Sequence, residues 1–363
     1  MTGPRPTGPS GGLPPVPDGP AVTPTDGPRV VALGGGHGLW ASLRALRRLT
    51  PHLTAVVTVA DDGGSSGRLR AELGALPPGD LRMALAALAG EDGWGRTWTQ
   101  ILQHRFAGDG PLAGHAVGNL LLSGIADATG DPVLALELVG RLLGGTGRVL
   151  PASPVPLVVV ADVLGLDPAA PERTTRVEGQ VAVATTAGSV TALHLQPASP
   201  LACAEAVKAV QEADWVVLGP GSWFTSVLPH LLVPELRQAL ETSPARRVIA
   251  LNLAPQPGET DGFSPEAHLE VLARHAPGLV PDVVLADSSS VVDVHGLMAA
   301  VTAAGGRLVL APVAVTDGTA RHDPQRLAGA FAEIFGLAGP PAGTTSKDDQ
   351  GGPYPTDGGA RHA

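Results

Sequence analysis

The sequence predicts an α/β protein with a mainly parallel sheet covered by helices on both faces. Three observations predict it. Short apolar runs rich in Val, Ile and Leu recur along the chain, among them RVVAL, TAVVTVA, WVVL, RRVIALNLA, VVLAD and RLVLAPV. Such runs, apolar on both faces, suit strands buried on both sides. Segments of helical period stand between most of them. Two stretches interrupt the rhythm: a helical insertion at about 80–150, and short antiparallel strands at about 155–197.

The elements follow in order. Arg29–Leu33 reads as a buried strand and meets Gly34-Gly35-Gly36-His37-Gly38 at once. Leu39, Leu43, Leu46 and Leu49 then recur at helical spacing. Thr54–Ala60 is the next strand, and it delivers a polar loop that begins Asp61-Asp62. Strand, glycine loop, helix, strand and closing acid form the opening of a nucleotide-binding α/β fold. DLRMALAALAG, TWTQILQHRF, GHAVGNLLLSGIADATG and PVLALELVGRLLG read as helices, and PLVVVADV, QVAVATTAG and VTALHLQP as antiparallel strands. A helix near Ala202–Ala213 precedes the strand Trp215–Leu218 and a second glycine loop, Gly219-Pro220-Gly221-Ser222. Ser264-Pro265 and Asp323-Pro324 each read as N-cap and N1 proline, opening helices to His275 and Phe335.

Composition narrows the function classes. The chain has 363 residues, 44% hydrophobic and 16% charged, enough for a full core. A formal net charge of −10 argues against nucleic acid as a partner, while a small anion held by backbone amides is compatible. The single cysteine, Cys203, forbids an intramolecular disulfide and reads as core filler. The start MTGPRPTGPSGG has no apolar h-region, and no apolar span is long enough for a membrane helix. A cytoplasmic protein without membrane insertion is the expectation. Residues 1–28 and 339–363 lack hydrophobic period and are predicted to be disordered tails around a body at 29–338. A homo-oligomer or an unknown protein partner stays open.

The chemistry concentrates in a few stretches. Gly34–Gly38 can bring backbone amides against a phosphate at a helix N-terminus. The alternative is a plain tight turn. The spacing is not that of a dinucleotide fingerprint, because Leu39 stands where the third glycine belongs. Asp61 and Asp62 can accept from a ribose or base, or hold Mg²⁺. Which of the two faces a ligand is open. Gly63, Gly64 and Gly67 free the backbone beyond them, and Ser65, Ser66 and Arg68 supply donors. Pro78-Gly79-Asp80 reads as a helix start with Asp80 as N-cap, which leaves a ligand role open for Arg82. Gly114-His115 to Gly118-Asn119 is a helix start or a ligand edge. Gly219, Gly221 and Ser222 form a second strand-loop-helix turn, and the two glycine loops can line one crevice. Arg321-His322 is a phosphate clamp or a surface basic pair. Zinc spacing and a nucleophile elbow are both lacking.

The strings GGGHGL, TVADDGGSSGRLR, LPPGDLR, QHRF, GHAVGNL, GRVLPAS, VLGPGSWFTSVLPHLLVPEL and PGETDGF, in this order, resemble the gluconeogenesis factor family (YvcK-like). That family is related to the 2-phospho-L-lactate transferases (CofD-like) of deazaflavin-cofactor synthesis. The resemblance covers about 29–336. It implies a Rossmann-like three-layer sandwich in the bacterial cytoplasm, associated with normal cell shape, gluconeogenic growth and UDP-sugar binding. A ligand like UDP-N-acetylglucosamine follows, bound without turnover. The alternative it implies is Mg²⁺-dependent transfer of a phosphorylated group from a nucleotide diphosphate, with Asp61 and Asp62 as metal and catalytic candidates. By motif match, Gly34, Gly35, Gly36, Gly38, Asp61, Asp62, Ser65, Ser66, Arg68, Gly219, Gly221 and Ser222 are expected at the ligand, and Arg321 at the UDP-sugar. His37, Arg82 and Asn119 complete the expected ligand set. The chain departs from the family's pattern at His37, where Thr is usual, and at Met83, where Asn is usual.

Overall fold

The computed structural model describes residues 26–256 and 258–337. The predicted tails lie outside the described residues except for 26–28. The chain opens with β1 (Val30–Gly34), α1 (Gly36–Leu46) and β2 (Leu53–Val57). Five helices follow: α2 (Gly64–Leu73), α3 (Pro78–Leu88), α4 (Gly93–Gln103), α5 (Val117–Thr129) and α6 (Pro132–Leu142). β3 (Arg148–Pro151) returns to the sheet. A lobe of β4 (Val158–Leu164), β5 (Thr175–Glu178), α7 (Gln180–Ala184) and β6 (Ser189–Gln196) comes next. Then α8 (Ala204–Glu212) and β7 (Trp215–Leu218) lead into a π-turn at Trp223–Val227 and a 3₁₀ turn at Leu228–Leu232. The chain closes with α9 (Pro234–Thr242), β8 (Arg246–Ala250), α10 (Pro265–His275), β9 (Val283–Asp287), α11 (Val294–Ala303), β10 (Arg307–Ala311) and α12 (Pro324–Phe335).

The main sheet has seven strands in the order β10-β9-β8-β7-β1-β2-β3. Every pairing in it is parallel. The strands advance one way from β1 to β3 and the other way from β7 to β10. The order reverses between β1 and β7, so a crevice opens beyond the carboxyl ends of these two strands. The central strands are apolar because helices cover both faces: all residues of β1, β7 and β9 are buried. A Rossmann-like α/β fold results. The lobe, inserted between β3 and β7, is a separate antiparallel sheet of order β5-β4-β6.

Several expectations need correction. The polar stretch after Asp62 is not a loop: Gly64–Leu73 is helical and ends at Gly74 with φ 65°. Asp80 is not an N-cap, because Pro77 holds that place and Asp80 lies in the first turn of α3. The segment QVAVA, whose alternation suggests a strand, is the helix α7. β3 falls at the end of the helical segment expected at about 80–150 and pairs with β2. α11 was not foreseen: its sequence VHGLMAAVTA buries only Leu297 and Val301 fully and shows little amphipathic contrast. Ser264 occupies its predicted N-cap position without a side-chain bond, whereas Asp323 bonds the amides of Gln325 and Arg326. Among the described residues, no helix is long and apolar enough to cross a membrane.

Candidate functional site

The loop after β1 and the loop after β7 meet at the point where the strand order reverses. Gly38 is glycine because of that meeting: a Cβ there would lie 2.2 Å from the Pro220 carbonyl oxygen and 2.6 Å from the Gly221 Cα. Gly35, Gly36, His37 and Gly38 line a cleft of about 270 Å³, and Gly221 and Ser222 face it from the other loop. Asp61 and Asp80 form part of the floor. Gln180, Ser226 and Gln256 complete the lining. α1 starts at this cleft, and its first turn carries no acidic residue. A helix N-terminus of this kind attracts an anion through backbone amides and the helix dipole.

The second loop is held from the side by the segment after β8. Asn252 Nδ2 donates to the Gly221 carbonyl, and the Gly221 amide donates to Asn252 Oδ1, both at 3.0 Å. Gln256 Oε1 accepts from the Trp223 amide at 3.3 Å, while its Nε2 donates to Ser222 Oγ at 3.2 Å. Glu259 is buried and accepts from the Phe224 amide at 3.0 Å and from Thr225 Oγ1 at 2.5 Å. Burial raises its pKa, and these hydrogen bonds pull the other way. One side chain from this segment, Gln256, also reaches the cleft. The π-turn that presents Ser226 is thereby fixed at its start by two side chains, Gln256 and Glu259, and Asn252 holds Gly221 just before it. Behind it, His230 is fully buried, with Nδ1 3.1 Å from the Val227 carbonyl and Nε2 3.1 Å from the Val56 carbonyl of β2. Burial pushes its pKa down to about 4.

The stretch from Asp61 to Arg68 divides its labour. Asp61 lines the cleft, and its Oδ1 accepts from the Gly63 amide at 2.9 Å. Asp62 does not line it; its Oδ1 accepts from the Val181 amide of α7 at 3.0 Å. Ser65 is buried between His115 Nδ1 and Asn119 Nδ2, each 2.9 Å from its Oγ. Burial lowers the His115 pKa first, and the Arg68 charge adds to it. Ser66 Oγ accepts from the Gly79 amide at 2.9 Å, joining α2 to the start of α3. Arg68 donates to the Ala113 carbonyl at 2.6 Å. So α2 is a brace between α3 and the start of α5.

Of the expected ligand residues, the structure brings Gly35, Gly36, His37, Gly38, Asp61, Gly221 and Ser222 to one cleft. Gly34 is buried as the last residue of β1. The Gly219 carbonyl accepts from Ser42 Oγ at 3.0 Å, beneath the second loop. Arg82 is buried and donates to Gln103 Oε1 at 2.5 Å, tying α3 to the end of α4. Asn119 is buried against Ser65. Arg321 lies in the loop before α12, where it bonds Asp317 and donates to Thr319 Oγ1 at 2.8 Å. Asp80, Gln180, Ser226 and Gln256 were not expected at a ligand. Asp80 carried a signal, standing two residues from Arg82 in LPPGDLR. Gln180, read as part of a strand, carried none.

Among the described residues, no group of three or more His, Cys, Asp or Glu side chains forms a metal cage. Mg²⁺ commonly uses one or two carboxylates together with phosphate oxygens. Asp61 and Asp80, which line the cleft, fit that pattern, whereas Asp62 lies outside the lining.

Comparison with known proteins identifies the family of the fold. Residues 30–301 match the family model described as 2-phospho-L-lactate transferase CofD. A Mycobacterium tuberculosis protein named "Putative gluconeogenesis factor" is 53% identical over 342 residues, covering 92% of this chain and 97% of that one. A Listeria monocytogenes protein named "Gluconeogenesis factor" is 38% identical over 264 residues, covering 73% and 79%. A solved Bacillus halodurans structure, described as a member of the UPF0052 family, is 34% identical with a TM-score of 0.76. That match covers 85% of this chain and 99% of that one. This chain belongs to the 2-phospho-L-lactate transferase CofD family, within which it is similar to the proteins named gluconeogenesis factors.

Proposed function

We propose that the cleft binds the diphosphate of a UDP-sugar such as UDP-N-acetylglucosamine, and that the protein is a cytoplasmic regulator of cell shape during gluconeogenic growth. The observation that carries this reading is the N-terminus of α1, set between two glycine loops where the strand order reverses. Amides there suit phosphate oxygens, and a helix end favours a negative charge by about 0.3–1 kcal/mol when exposed. Gln180 Oε1 and the remaining N–H of each of Gln180 and Gln256 suit the neutral groups of a sugar or base.

The lining includes two carboxylates and no Lys or Arg among the described residues. A diphosphate beside Asp61 and Asp80 therefore favours a divalent cation shared between them. When bound, Mg²⁺ would neutralise charge on the phosphates. Titration calorimetry with UDP-N-acetylglucosamine tests the reading. Saturable binding is expected, stronger with Mg²⁺ than with EDTA, and Asp61→Ala should reduce that difference. No binding of any UDP-sugar overturns it.

A second reading is transfer of a phosphorylated group from a nucleotide diphosphate, supported by membership of a transferase family and by the same carboxylates. Asp61 and Asp80 would then orient the donor's diphosphate. Incubation with nucleotide diphosphate donors, a deazaflavin acceptor and Mg²⁺ decides between the two. A transferred product favours the enzyme; unchanged donor favours binding alone.

A further inference from the structure

Asp61 and Asp62 are neighbours in sequence and do different things. Asp61 faces the cleft. Asp62 is exposed, and its Oδ1 accepts from the amide of Val181, 119 residues away in sequence. Asp62 Oδ2 packs against Gly179, where a Cβ would fall 2.3 Å from it. Gly179 has φ 101°, so any other residue there would meet both strain and a clash. The chain next to this contact carries Gln180, which lines the cleft and donates through Nε2 to the Thr225 carbonyl at 3.4 Å. On the far side of α7, Gly258 lies so close to Ala184 that a Cβ would fall 2.3 Å from its carbonyl oxygen. α7 is thus pinned between the Asp62 loop and the loop after β8.

We propose that Asp62 is a positioning residue, not a ligand or metal residue: its carboxylate latches the antiparallel lobe to the floor of the main sheet and holds Gln180 in the wall of the cleft. The inference rests on the binding reading above and goes further, because it makes the lobe's docking a determinant of affinity. It also assigns the two carboxylates separately. Asp61 lines the cleft and Asp62 does not, so a cation held with the phosphates falls to Asp61.

Two measurements on the full chain test the latch. The first needs no ligand. Hydrogen exchange at the Val181 amide in the free protein is expected to rise about tenfold in Asp62→Ala, the effect of losing one hydrogen bond to a charged acceptor. In Asp62→Asn it should stay near wild type, since the amide oxygen still accepts. Unchanged exchange in Asp62→Ala overturns the latch whatever the ligand proves to be. The second uses UDP-N-acetylglucosamine with Mg²⁺ and wild type as the control. Asp62→Ala and Gln180→Ala should each weaken binding by about tenfold, and the double variant no further. Asp62→Asn should bind within about twofold of wild type. Losses that multiply in the double variant, or an Asp62→Asn as weak as Asp62→Ala, overturn the proposal in favour of direct contact. If wild type binds no UDP-sugar, the binding reading fails while the exchange result still judges the latch.

Discussion

The two sides of the cleft are built by opposite means. The floor comes from the parallel sheet, where β1 and β7 are wholly buried and two glycine loops touch backbone to backbone. The wall from the antiparallel lobe comes from a five-residue helix beside the partly or fully exposed strand β5 and the largely buried β4. Glycines and interior packing fix the floor, so a change there disturbs the whole half. The hydrogen bonds of Asp62 and Gln180, the close contacts at Gly179 and Gly258 and the buried Val183 place the wall, so a change at an exposed bond such as that of Asp62 alters the cleft first. In one fold, a floor fixed by two glycine loops can therefore be combined with a flank placed by a short helix.

Gly38→Leu breaks the floor and carries the largest expected effect. Its Cβ would meet the Pro220 carbonyl and the Gly221 Cα, both backbone. Overpacking against backbone costs about 3 kcal/mol, the upper end of its usual range. Thermal unfolding should show a midpoint lower by roughly 6 °C or more, and the cleft should lose its ligand. A wild-type midpoint would mean that the two loops separate easily.

Acid should weaken the same half next. His230 is neutral in the fold, with its pKa lowered to about 4 by burial. The unfolded chain takes up the proton from about pH 6.5 downward, the folded chain only near the lower value. Its contribution is therefore intact above pH 6.5 and lost as the pH falls toward 4, by up to about 3 kcal/mol. Denaturant unfolding across that range should show the slope, and His230→Gln should flatten it.

Much of this division was legible in the sequence. Strands buried on both faces announce themselves as apolar runs, so β1, β2 and β7 to β10 were expected close to where they lie. The glycine loops were legible because the helices that follow them have clear period. The wall was not. QVAVA alternates like a strand, and its helix forms where the Asp62 carboxylate, far away in sequence, accepts its second amide. Ser65, Ser66 and Arg68 have the polarity of ligand residues. The bonds of Ser65 and Ser66 to His115 and Gly79 turn that polarity inward, and Arg68 directs its own to the Ala113 carbonyl. No local pattern separates a hydroxyl that meets a phosphate from one that meets a neighbouring helix.

Smaller effects sharpen the contrast. Glu259→Ala leaves the Phe224 amide and the Thr225 hydroxyl without their buried acceptor, at a cost of about 2 kcal/mol. Glu259→Gln, which still accepts, should recover most of it in urea unfolding. In the lobe, Arg176 and Glu178 form an exposed ion pair at 3.7 Å on β5. Replacing either with Ala should move stability by less than about 0.5 kcal/mol in the same assay. A lobe substitution as costly as the Glu259 change would show that wall and floor are one unit.

A crystal structure of the protein with UDP-N-acetylglucosamine and Mg²⁺ tests the central claim most directly. The account predicts the diphosphate within hydrogen-bond distance of the amides of Gly36, His37 and Gly38 and beside Gly221 and Ser222. Asp61 should face the cation, and Asp62 should still be bonded to Val181. Phosphates bound away from the start of α1, or a cation on Asp62, would contradict it.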